Sequence, residues 1–73
     1  MESFVKEFDP PIVIDATGKG FKVKHGLGVL HPVVFVYGVH GIEIKDMGLD
    51  YITWDAVMIY LATGTRVAKV VIG

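Results

Sequence analysis

No cysteine, asparagine or glutamine occurs in these 73 residues, and the only serine is Ser3. Without cysteine there can be no disulfide framework and no thiolate ligand or nucleophile. A lone serine near the N-terminus offers no nucleophile with a base and an orienting group at a readable spacing. Asparagine, glutamine and cysteine are thermolabile residues that hyperthermophile proteins reduce, so a hot habitat and chance in a short chain both account for their absence. Charge of one sign is missing too: seven basic residues stand against eight acidic ones. That balance argues against a duplex-binding surface, which needs a basic excess. With no run of like charge, an acidic tail or polybasic membrane patch is also unexpected. Apolar runs such as residues 32–37, between His31 and Gly38, are far short of the roughly 20 residues of a membrane helix. Glu2, Lys6, Glu7 and Asp9 break up the N-terminus, so no signal peptide is expected.

What the chain does have is apolar surface. Hydrophobic residues make up 52% of it, with a mean hydropathy of +0.53. A domain this short buries only about 60% of the surface its unfolded chain exposes. Small domains usually need a staple, a metal or a partner. An excess of apolar side chains over one thin core points to self-association, and the expected partner is the chain itself, as a trimer or larger ring.

The periodicity is that of strands. Phe21, Val23 and His25 alternate with Lys22 and Lys24, and Ile42 and Ile44 alternate with Glu43 and Lys45. Turn chemistry recurs at Thr17-Gly18-Lys19-Gly20, Gly26-Leu27-Gly28, His40-Gly41, Asp46-Met47-Gly48 and Thr63-Gly64. Strands are predicted near 4–8, 11–15, 21–25, 32–38, 41–45, 50–53, 56–61 and 66–72. Such short strands at such spacing predict an all-β fold, a small antiparallel sandwich or barrel of seven or eight strands. A helix over 54–61, with Trp54, Val57, Met58 and Leu61 on one face, is the rival. Its β-branched content and lack of a capping box favour a strand. Pro10-Pro11 cannot donate to a ladder and reads as a joint between two strands at an edge or crossover. The division expected is an N-terminal arm or pair of edge strands over 1–15 and a β module over 16–73.

Two strands, 32–37 and 67–72, are apolar on both faces, and both faces must then be covered. One meets the chain's own core; the other is expected to meet a neighbouring subunit. Phe35, as the larger core filler, is expected to face inward, leaving Val34 and Val36 for the interface; the reverse register is the alternative. Phe4, Phe8, Met58 and Tyr60 complete the expected interface set, with the 1–15 arm able to clasp a neighbour by strand addition.

No catalytic, cofactor or metal site is expected, and no enzyme. Asp9, Asp15, Asp46, Asp50 and Asp55 sit in turn-like contexts that suit aspartate. His25, His31 and His40 lack the spacing of a ligand pair. His25 shares the apolar face of Phe21 and Val23 and precedes Gly26. It is expected to support the turn through Gly26 and Gly28 by hydrogen bonds to backbone. Lys19-Gly20-Phe21 and Val34-Phe35-Val36 faintly resemble the aromatic motifs of cold-shock domains, which bind single strands by stacking. A core Phe21 with a solvated lysine face is the preferred alternative, and a nucleic-acid partner is not expected. Trp54 or Tyr60 could instead serve as a stacking platform for a sugar or a receptor.

One resemblance covers residues 21–73. An opening Phe21-Lys22-Val23-Lys24-His25-Gly26-Leu27-Gly28 leads into His31-Pro32-Val33-Val34-Phe35-Val36-Tyr37. The His40-Gly41 turn and a hairpin through Tyr51-Ile52-Thr53-Trp54-Asp55-Ala56-Val57 follow. Thr63-Gly64 and the strand 67–72 close it. This order resembles a small β module found at the ends of bacteriophage tail fibres and in other virion accessory proteins. It differs in Phe21, where tryptophan is most frequent, and in Asp55, where asparagine is commoner. The resemblance implies a non-catalytic virion component, made in the host cytoplasm and assembling with itself and with other virion proteins. The short N-terminal extension favours a head decoration or small tail component over an adhesive fibre tip.

Overall fold

The structure, a computed structural model, describes residues 3–15 and 20–73. It is all-β, with two antiparallel sheets stacked as a sandwich. The strands are β1 (Phe4–Val13), β2 (Gly20–Lys24), β3 (Val34–Tyr37), β4 (Glu43–Ile44), β5 (Gly48–Thr53), β6 (Ala56–Tyr60) and β7 (Arg66–Ile72). One sheet has the order β1-β7-β3-β4 and the other β2-β6-β5.

The central strands β6 and β7 turn β-branched side chains inward, which suits a pleated, half-buried surface. On β6, Val57 and Ile59 are fully buried; on β7, Val67, Val70 and Ile72 are. Val67 and Val70 lie three residues apart yet both face inward. The register of β1 against β7 shifts between Glu7↔Lys69 and Ile12↔Val67, and that bulge resets the alternation. Val34, Val36, Val23 and Leu61 close the core, with Phe4, Phe8, Phe21 and Leu49 packed half-buried around it.

The rival helix over 54–61 does not form: Ala56–Tyr60 is a strand. It follows a tight hairpin in which Thr53 pairs with Ala56 and Thr53 Oγ1 accepts from the Asp55 N–H at 3.1 Å. The two strands expected on either side of Pro10-Pro11 are in fact one. β1 runs through the prolines, with a cis Asp9–Pro10 bond; the ladder opens around them and closes again at Ile12. Pairing with β7 on its own sheet makes β1 an edge strand rather than a free arm. The turn expected at 17–20 lies, apart from Gly20, outside the described residues.

The interior register of β3 corrects the expected one. Val34 and Val36 are 6% and 0% exposed, and Phe35 is 39% exposed. Gly38 lies on the same side as the two valines, and a Cβ there would come within 3.3 Å of the Arg66 carbonyl oxygen. Val34 and Val36 lie beside Ile72 and Val70, both fully buried, so this is the dry side of the strand. Val34 and Val36 belong to the chain's own core rather than to a surface open to a neighbour.

Candidate assembly surface

The outer face of the four-stranded sheet carries an uncovered apolar row. Val71 pairs with Val5 on one side and with Phe35 on the other, so the three side chains lie abreast across β1, β7 and β3. Val5 is 54% exposed, and Val33, just before β3, is 55% exposed. The next row is polar: Glu7, Lys69 and Tyr37 lie side by side. The Lys69 ammonium sits 4.9 Å from the centre of the Tyr37 ring. An apolar strip with a polar border is the form a contact surface takes.

Phe4 and Phe8 point the other way, toward the space between the sheets. With Phe21 they line a cleft of about 540 Å³, and Lys6, Lys22 and Lys24 stand on it as well. The Phe8 and Phe21 rings meet edge to face, 6.3 Å apart. Phe21 is thus part of the packing and is not a free platform for a base.

On the outer face of the three-stranded sheet, Met58 and Tyr60 are half-buried. Tyr60 lies between Gly20 and Gly48. A Cβ on Gly20 would fall 2.7 Å from the Tyr60 ring, so the ring covers a strand position that has no side chain of its own. Met58 lies between Lys22 and Asp50 in the adjacent row.

At the hairpin end of the sandwich, the loop 25–28 is fastened to the β5–β6 turn. The N–H groups of His25 and Gly26 donate to the Asp55 carbonyl at 2.7 and 3.1 Å, and Gly28 N–H donates to Asp55 Oδ1 at 2.9 Å. Gly26 and Gly28 have φ of 66° and 68°, a region where a side chain would be strained. His25 is buried, and its Nδ1 accepts from the Leu27 N–H at 3.1 Å. Its Nε2 has no hydrogen-bond partner among the described residues. Replacing His25 by alanine strips the part-buried Leu27 N–H of its acceptor and empties a buried site, and should cost on the order of 1–3 kcal/mol. His25→Asn, which offers an acceptor at similar reach, should recover part of it. Urea melts check both, and a chelator should move neither curve. A chelator-induced loss of stability would instead mark His25 as a ligand.

Trp54, at the tip of the same hairpin, is 60% exposed. His31 packs its ring against Tyr51 at 4.9 Å, and Tyr51 donates to the Pro32 carbonyl at 3.3 Å. His40 occupies an exposed turn at φ 65°. The five aspartates are all exposed and spread over different turns and edges. Among the described residues, no three His, Asp or Glu side chains are grouped to hold a metal. No helix there is long and apolar enough to cross a membrane.

Sequence reasoning did not name Val5 or Val71 for this surface, and it reached Val33 and Phe35 only through the reverse register of the strand. A partial signal existed for Val5, since Phe4 and Phe8 share one face of β1 and Val5 must then take the other. The chain matches no protein-family model, no curated protein and no solved structure.

Proposed function

We propose that this chain is a non-catalytic structural protein of a virion, a head decoration or small tail component, that assembles with copies of itself through apolar β surfaces. The observation that carries the proposal is the uncovered row of Val5, Val71 and Phe35 on the four-stranded sheet. The half-exposed Phe35 and Val5 are poorly placed for solvent and well placed for a second surface.

The residues that carry the virion resemblance also act together. The opening His25-Gly26-Leu27-Gly28 and the hairpin residue Asp55 are 27 positions apart in the case of Gly28, yet bonded to each other. They serve as a brace, and a brace of this kind suits a part that has to hold its shape.

Size-exclusion chromatography with light scattering tests the assembly reading on the native chain. A trimer or larger ring is expected at micromolar concentration. A monodisperse species of 8.0 kDa would overturn self-assembly. The virion reading is tested separately, by finding the chain at a fixed, symmetric copy number in purified particles by mass spectrometry.

A further inference from the structure

The three-stranded sheet has two outer edges, β2 and β5, and no strand among the described residues pairs with either. The edges differ in charge. On the solvent face β2 presents Lys22 and Lys24, and β5 presents Asp50. Through Met58 of the central strand, Lys22 and Asp50 occupy the same row at opposite ends of the sheet. The inner face matches too, with Phe21 and Leu49 in one row through Ile59, and Val23 and Tyr51 in another through Val57.

The asymmetry extends to the rest of the two sides. Beside β2, the cleft between the sheets carries Lys6, Lys22 and Lys24 and no acid. The nearby Glu7 and Asp9 are turned to the outside, beside Tyr37, His40 and Lys69. On the far side, Glu43, Asp46 and Asp50 are exposed on β4, on β5 and between them, against the single cation Lys45.

We infer that a second copy of this chain docks its β5 edge on the β2 edge of the first, Asp50 against Lys22, so that the three-stranded sheets join head to tail into a closed ring. This rests on the self-assembly reading alone, and it uses the edges of the three-stranded sheet rather than the row of Val5, Val71 and Phe35. β2 and β5 each run antiparallel to β6, so they are parallel to each other. Rotation about an axis along the strands therefore brings β5 of the next copy alongside β2 in parallel pairing, with both sets of inner-facing residues still facing inward. Lys22 then meets Asp50, and the Lys24 stem lies over Ile52. Pairing of like edges by a two-fold axis would set lysine against lysine, or Asp50 against Asp50, and like charges directly opposite are destabilising. Unlike edges make a heterologous contact, which generates a ring when the rotation closes.

Charge reversal tests the geometry on the full chain. The variants are Lys22→Glu with Lys24→Glu, Asp50→Lys, and all three together. Each change is on an exposed face, and circular dichroism confirms that each variant is folded. The first two should raise the concentration for half-assembly at least about tenfold. The triple variant, with both edges reversed, should return to the native copy number. Two folded, charge-reversed variants that assemble like the native chain would overturn edge pairing and leave self-assembly standing. If Phe35→Lys alone dissociates the complex, the sheet face is the interface. A native chain that is monomeric overturns both readings. Failure of the triple variant to reassemble, after the first two dissociate, also overturns the Lys22–Asp50 pairing.

Discussion

Val36→Lys should leave no folded chain, while Phe35→Lys, one residue away, should leave a folded one. Val36 is 0% exposed and sits mid-sheet between Val70 and Ile44. A lysine there would place an ammonium among aliphatic side chains with no partner, and burial of an unpaired charge is among the costliest single changes. A 73-residue domain has only about 4–11 kcal/mol to lose at the usual stability per residue. Phe35 faces out, so a lysine there keeps its stem on the sheet and its head in water. Circular dichroism and amide dispersion in NMR distinguish the two. A Val36→Lys chain that melts like the native protein would mean that β3 is packed in the other register.

Ile59→Ala should be the most damaging of the simple truncations. Ile59 is fully buried and lies at the centre of the three-stranded sheet, with Phe21 on one side and Leu49 on the other. β6 has no freedom to collapse into the space, because both its edges are held in ladders. Removing three carbons from such a site costs about 2–5 kcal/mol. At about 4–8 °C per kcal/mol for a domain of this size, the melting temperature should fall by roughly 8–40 °C. The urea midpoint should fall with an unchanged slope. Met58→Ala, on the solvent face of the same strand, should move the midpoint far less. Equal effects from the two would show that the sheet does not have one wet and one dry face.

The strands were legible where a polar residue marks the phase. Lys22 and Lys24 fix the face of β2 without any structure, and Asp55 with Gly26 and Gly28 mark the two turns that the structure ties together. Residues 33–37 carry no polar residue before Tyr37, and nothing local says which side is wet. The size argument that placed Phe35 inside failed because the dry side of β3 is set by its pairing with Val70 and Ile72, which only the tertiary fold reveals. Pro10-Pro11 misled for a related reason. A proline pair ends most strands, but an edge strand can let its ladder open and resume. The charge relation between Lys22 and Asp50 was beyond reach, because it exists only once β6 is known to lie between them.

The two edges of the four-stranded sheet, by contrast, are poor templates for uncontrolled growth. β4 is only two residues long, too short to recruit an incoming strand. β1 is long, but Pro10 and Pro11 have no N–H to offer, and the bulge beside them bends the edge out of line. Short edge strands, prolines and bulges are how soluble β proteins avoid amyloid-like stacking. A chain this apolar therefore keeps its wider sheet from seeding fibrils. Among the described residues, the narrower sheet has no such guard of prolines or a two-residue strand on its edges β2 and β5.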